Sequence, residues 1–353
     1  MGRPAEAMQR TLLILHPGAI GDVILALPAI RALRRQFHGH ALGLVAGEEI
    51  GRVLRTCAEV DSTFALEADA LAGLMAGSRW VSRAVREWLA RCELAIGWLK
   101  DSDGRLQSVL QELGASRVIV ESPLTSKCGP IHQEDRVLET LASVVACDIP
   151  HEPLRVPNSL LEDAKARLAA EGIPDPGLLV ALHPGSGSRH KCADPALFAG
   201  IIDWVRARDG VPILLEGPAD EEAVRSVTAF CERRPLVLHR ATLLDTAAAL
   251  AHARLFIGHD SGLTHLAAAL HVPTVALFGP TKIQRWAPRG SHVIVLTGTP
   301  CQCGSWEAVQ ACVEKSCLRI PLEELRRACA RMLQGPHNRP RGCLDARHSA
   351  CLE

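Results

Sequence analysis

Tyrosine is absent from this 353-residue chain, and aromatic residues make up only 3% of it. Single-stranded nucleic acid is usually gripped by stacking its bases on aromatic rings, so that class of partner is disfavoured. A surplus of positive charge is missing too, because 39 Lys and Arg balance 39 Asp and Glu. A general nucleic-acid binder needs a basic excess to neutralise phosphates. No stretch approaches the roughly 20 apolar residues that span a bilayer. The first apolar segment, residues 12–15, is too short for the core of a secretory signal. Glu6 stands where myristoylation wants Ser or Thr. Cysteine, by contrast, is plentiful: thirteen are scattered from Cys57 to Cys351, an odd number that suits reduced thiols better than a disulfide framework. A soluble cytoplasmic protein is expected.

What is present is an alternation of apolar strand-like runs with helical patterns, the sign of parallel α/β layers. Strands are expected at residues 12–15, 41–45, 94–98 and 117–120, with helices at 24–36, 81–91, 106–113 and 135–146. Five prolines between Pro150 and Pro176, around one helix at 160–171, read as a connection. The pattern then restarts, with strands at 178–182, 211–215, 255–257 and 274–277 and helices at 195–208, 220–233, 246–253 and 262–270. A chain of this length is expected to split into two domains. The expected boundaries are an N-terminal Rossmann-like domain at 1–150, a linker at 151–177, a second Rossmann-like domain at 178–320, a last helix at 321–334 and a loose tail at 335–353.

Two strand-to-helix turns carry unusual polarity. The first runs Leu15-His16-Pro17-Gly18-Ala19-Ile20-Gly21-Asp22, and the second runs Ile257-Gly258-His259-Asp260-Ser261-Gly262-Leu263-Thr264-His265. A helix start offers unpaired N–H groups and partial positive charge, which suit a phosphate or diphosphate. Ligands of doubly wound sheets bind at the C-terminal ends of the strands, where both turns fall. Neither turn is a dinucleotide fingerprint or a P-loop, since Gly18 and Gly21 do not make G-x-G-x-x-G and no Gly-Lys-Ser/Thr follows.

Four motifs in order, Gly21-Asp22-Val23-Ile24-Leu25-Ala26-Leu27-Pro28, His183-Pro184-Gly185-Ser186, Gly217-Pro218-Ala219-Asp220 and Gly258-His259-Asp260-Ser261-Gly262-Leu263-Thr264-His265, resemble glycosyltransferase family 9. Phe278-Gly279-Pro280-Thr281 follows the last of them, and the resemblance covers most of residues 11–330. These are the ADP-heptose:lipopolysaccharide heptosyltransferases. The resemblance implies a GT-B fold, two Rossmann-like doubly wound domains facing a central cleft, with no metal and no cofactor.

Asp22 has two readings on local sequence, an N-cap that accepts a backbone N–H or a general base that takes the proton of an acceptor hydroxyl. Gly18 and Gly21 beside it would let an acceptor approach the backbone. The family's catalytic carboxylate matches Asp22, so the resemblance implies the base. For the donor, Ser186 and Gly187 offer a hydroxyl and N–H groups. Lys191, in a chain with only six lysines, offers a compact charge for the diphosphate. The resemblance implies phosphate binding for these and for Asp260, Ser261, Gly262 and His265. It departs from the family just after, where Cys192-Ala193-Asp194-Pro195 replaces the usual Lys-x-Trp-Pro continuation. Glu216, at a strand end, is placed to bind ribose hydroxyls.

Weaker signals complete the reading. Cys301, Cys303, Cys312 and Cys317 form a cluster whose C-x-C spacing fits tetrahedral metal ligation poorly, so packing or loop thiols are expected. Arg31, Arg34 and Arg35 read as a solvated face or as contacts to acidic groups of the acceptor. The stripe of Trp80, Val81, Ala84, Val85, Trp88 and Leu89 reads as core, with shallow membrane docking as the alternative. The expected partners are a nucleotide-sugar donor and a lipid-linked glycan acceptor, used at the cytoplasmic face of the inner membrane. The alternatives are a non-hydrolysing sugar-nucleotide epimerase and a non-catalytic nucleotide-sugar-binding protein.

Overall fold

The computed structural model describes residues 9–124, 131–145, 152–173, 177–239 and 241–335. The chain forms two compact units. One runs to Ala164 and takes in Ala241–Ala248 and Lys282–Ala287, and the other holds the rest. The helix Asn158–Ala170 spans the point of division. Most of the expected tail (336–353), and residues 151 and 174–176 of the expected linker, lie outside the described residues.

In the first unit five strands, β1 (Thr11–Leu15), β2 (Ala41–Ala46), β3 (Ser62–Ala65), β4 (Cys92–Gly97) and β5 (Arg117–Val120), form one sheet in the order β3-β2-β1-β4-β5. Every pairing is parallel. The order reverses between β1 and β4, so the loop after β1 opens at a topological switch point, where such sheets bind ligands. Leu13 and Leu15 pack with Val45, Ala95, Val85, Leu89, Leu106 and Leu110 on one face. Burying a side chain of this size contributes about 1.5–3 kcal/mol.

The second unit repeats the plan with β6 (Leu179–His183), β7 (Val211–Glu216), β8 (Leu236–His239), β9 (Leu255–His259), β10 (Thr274–Leu277) and β11 (Val293–Leu296). Its order is β11-β10-β9-β6-β7-β8, again wholly parallel. The switch point lies between β6 and β9, whose ends are in register at His183 and Gly258. The helix Pro195–Arg206 and the last helix, Leu322–Gln334, bury Phe198, Ile201, Ile202, Leu325 and Cys329 against this sheet.

The expected pair of Rossmann-like, doubly wound parallel sheets is present. Three strands were not expected, β3, β8 and β11. All three are edge strands of four residues, mostly half-buried. The helix Glu48–Thr56 was also not expected. The expected helix at 24–36 is two, Ile20–Leu25 and Leu27–Gln36. Pro28 sits in the first turn of the second, where its missing N–H is tolerated and continuation from the first is not. No helix among the described residues is long and apolar enough to cross a membrane.

Candidate active site

In the first unit β1 delivers His16, buried, with its N–H bonded to the Val45 carbonyl at 2.9 Å. Its Nδ1 accepts from the Gly18 N–H at 3.2 Å, and its ring meets Trp98 edge-on at 5.6 Å. Burial pulls this imidazole down to about 4, against smaller hydrogen-bond effects that raise it. Asp22 is not the N-cap. That position belongs to Ala19, and Asp22 is the third helical residue, reaching back so that Oδ2 accepts the Ala19 N–H at 3.1 Å. The correction follows from the helix starting at Ile20, earlier than the apolar run suggests. Gly18 is sterically required between them, since a Cβ there would lie 2.7 Å from His16 Cε1 and 2.8 Å from Asp22 Cβ. Gly21 lies inside the same short helix.

Sequence reasoning missed one neighbour of Asp22. Arg285, in the Lys282–Ala287 segment of the same unit, is bonded through Nε to Gln133 Oε1 at 3.3 Å. Burial first, and Arg136 second, push this guanidinium down, and Asp22 opposes them. No local signal places residue 285 beside residue 22.

The three arginines after Asp22 are committed within their own unit. Arg31 pairs with Glu59 at 2.5 Å, with side-chain exposures of only 13% and 11%, and Nη1 donates to the Glu152 carbonyl at 2.6 Å. Arg34 pairs with Asp61 at 3.2 Å and Arg35 with Glu152 at 2.8 Å. The solvated-face expectation describes Arg35, whereas Arg34 is half-buried with Nε donating to the Glu59 carbonyl at 3.2 Å, and Arg31 belongs to a nearly buried ion pair.

In the second unit the residues expected at the donor site converge. The loop after β6 carries Ser186, whose Oγ donates to the Asp260 carbonyl at 2.8 Å. It also carries Lys191, in the single turn Arg189–Lys191, with Nζ 2.8 Å from Asp260 Oδ2. Ser261 stands at the N-cap position of the helix Gly262–Ala269, its side chain making no capping bond, and the first turn holds Thr264 and the buried His265. The Thr264 hydroxyl donates to the His259 carbonyl and lies 3.3 Å from Ser261 Oγ. Gly187 is exposed, with open space where a Cβ would stand. Glu216, the last residue of β7, has Oε1 2.8 Å from His239 Nδ1.

Behind these residues lies a polar chain. His183 Nε2 is 3.0 Å from Asp220 Oδ2, and His183 Nδ1 is 3.1 Å from Ser261 Oγ. A carboxylate only accepts, so Nε2 carries a proton toward Asp220, and Nδ1 shares a hydrogen bond with the serine hydroxyl. Burial pushes the Asp220 carboxyl up, but the hydrogen bond and charge of His183 and the Gly217 N–H hold it below the ordinary range. The chain therefore fixes the rotamer of Ser261. His259 is fully buried, and its Nε2 accepts the Ala193 N–H at 2.9 Å. That bond anchors the loop at the position where the sequence departs from Lys-x-Trp-Pro. Burial, with the charge of His183 second, pulls His259 down to about 3.

Both low histidines predict acid sensitivity. Between an ordinary value of 6.5 and about 4 for His16, or about 3 for His259, the unfolded chain binds a proton that the folded chain refuses. Their stabilising effect is whole above pH 6.5 and is lost as pH falls, at about 1.4 kcal/mol per pH unit for each histidine. The melting temperature should drop steeply from pH 6.5 to pH 4.5, and a flat profile would refute the assignment.

Cys317 is buried in the core of the second unit and Cys301 packs against that core, while Cys303 and Cys312 are half-buried. Among the described residues no group of three or more Cys, His, Asp or Glu side chains is arranged to hold a metal ion.

Set beside known proteins, residues 134–317 match glycosyltransferase family 9 (heptosyltransferase). The chain belongs to this family. It is 33% identical over 119 residues to lipopolysaccharide heptosyltransferase 3 of Escherichia coli, covering 33% of this chain and 35% of that one. It is 41% identical over 92 residues to lipopolysaccharide heptosyltransferase 1 of Pseudomonas aeruginosa, covering 26% and 24%. The matched stretches thus span about a quarter to a third of these relatives' length. The fold is shared with solved structures across nearly the whole chain. A family 9 glycosyl transferase from Veillonella parvula superposes with a TM-score of 0.77 at 21% identity, covering 94% of this chain and 99% of that one. E. coli ADP-heptose lps heptosyltransferase II superposes with a TM-score of 0.71 at 16% identity, covering 92% and 98%.

Proposed function

We propose that this family 9 chain is an inverting, metal-independent glycosyltransferase that moves a heptose from ADP-heptose to a lipopolysaccharide-type acceptor. The observation that carries the donor half is the convergence of Lys191, Ser186 and Ser261 at the switch point between β6 and β9. A nucleoside diphosphate leaving group gains negative charge as its bond to the sugar breaks. The Lys191 ammonium and the helix start at Gly262 answer that charge without a metal. The nucleotide and sugar come from the names of the relatives, one of which is an ADP-heptose enzyme.

In the transfer, the acceptor hydroxyl loses its proton to the Asp22 carboxylate while its oxygen bonds to the anomeric carbon. The anomeric C–O bond to the diphosphate breaks on the opposite face, so configuration inverts. Glu216 is the residue assigned to the ribose hydroxyls, and His265, Asp260 and Gly187 complete the donor contacts. A lipid-linked acceptor would bring the enzyme to the cytoplasmic face of the inner membrane.

Thermal-shift titration with ADP-, GDP- and UDP-sugars tests the donor. Stabilisation by ADP-heptose is expected, and stabilisation by UDP-sugars alone would remove the heptosyl assignment. Lys191→Met should raise the donor KM by about tenfold or more, the scale of one lost charge-assisted hydrogen bond.

A further inference from the structure

The Cys301–Cys317 loop has no part in the chemistry above, yet one of its side chains reaches the donor loop. Lys315 Nζ donates to the Arg189 carbonyl at 3.1 Å, in the turn that ends with Lys191. Lys315 also has a left-handed backbone, φ 43° and ψ 41°, a conformation that a lysine adopts only under constraint. That constraint is visible. Cys312 and Cys317 flank it, Cys317 is buried with its carbonyl accepting the Gly298 N–H at 2.8 Å, and the Leu318 N–H binds the Lys315 carbonyl at 2.8 Å.

Such a brace acts on the Arg189–Lys191 turn. The turn's upstream end is fixed by Ser186 on Asp260 and its downstream end by Ala193 on His259. Between them the turn is held by its own bonds to Ser188, and Arg189, Cys192 and Lys315 border a cavity of about 210 Å³. Lys191 and Lys315 both lie close enough to act on the Cys192 thiol.

We infer that Lys315 is a positioning residue for donor binding: the loop anchored by buried Cys317 presents its ammonium to the Arg189 carbonyl and so sets the reach of Lys191 toward the donor diphosphate. The inference rests on Lys191 binding that diphosphate. It gives buried Cys317 a purpose, that of holding a strained lysine in place.

The test compares Lys315→Met, Lys315→Arg, Lys315→Gly and Lys191→Met with ADP-heptose as donor. Lys315→Met should raise the donor KM about five- to tenfold with kcat within about twofold, the size of one ordinary hydrogen bond lost. Lys315→Arg should restore it. Lys315→Gly is the decisive variant, because glycine relieves the left-handed backbone while removing the amine. Its melting temperature should hold or rise while its donor KM rises as in Lys315→Met, a pairing that a merely structural lysine would not produce. A donor KM unchanged in Lys315→Met but raised in Lys191→Met overturns the brace. A donor KM unchanged in Lys191→Met as well overturns the donor site beneath it.

Discussion

Replacing Asp22 by Asn should lower kcat by about 10²–10⁴-fold, the usual contribution of a positioned general base, while leaving the fold intact. Asn keeps a side-chain oxygen where Asp22 Oδ2 accepts the Ala19 N–H, so the first turn of Ile20–Leu25 remains satisfied. What it loses is the ability to take a proton. Asp22→Ala removes both functions and should also cost about 1 kcal/mol of stability, a typical price for a missing helix-start acceptor. The two variants therefore separate the structural role of this carboxylate from its chemical one. Stabilisation by ADP should be unchanged in both, because the diphosphate is assigned to the other unit. Transfer activity that survives Asp22→Asn within about tenfold would sink the base assignment.

How much of this was legible depended on whether neighbours in space were also neighbours in sequence. The turn at Asp260–His265 was readable because a buried strand, a polar turn and a small apolar helix follow one another in the chain. Lys191 was readable from its motif and its rarity. His183 and Asp220 stood inside recognised motifs, but their roles did not show. Their hydrogen bond joins residues 37 apart, and the bond from His183 to Ser261 joins residues 78 apart. Arg31 looked like a solvated residue because Glu59, its partner 28 residues on, belongs to a different element. Lys315 reaches back 126 residues. Its surroundings suggested only loop thiols.

The packing around Gly185 gives the second large expectation. A Cβ at this position would lie 1.8 Å from Asp220 Oδ1 and 2.4 Å from its Cγ, distances that no small adjustment absorbs. Asp220 cannot swing away cheaply. Its Oδ2 accepts from the Gly217 N–H at 2.9 Å and pairs with His183 at 3.0 Å. Displacing it would leave His183 without its acceptor and Ser261 without a fixed rotamer, in a region where unpaired buried groups cost about 1–3 kcal/mol each. Gly185→Ala should therefore lose about 2–4 kcal/mol of stability, the range for overpacking plus a broken polar contact, and weaken ADP binding at least about tenfold. Gly187→Ala, two residues on, meets nothing within 4 Å and should leave the melting temperature unchanged. Differential scanning fluorimetry and ADP titration of the pair decide the matter. If Gly185→Ala keeps both its melting temperature and its affinity for ADP, the Asp220–His183–Ser261 chain does not hold the donor site in shape.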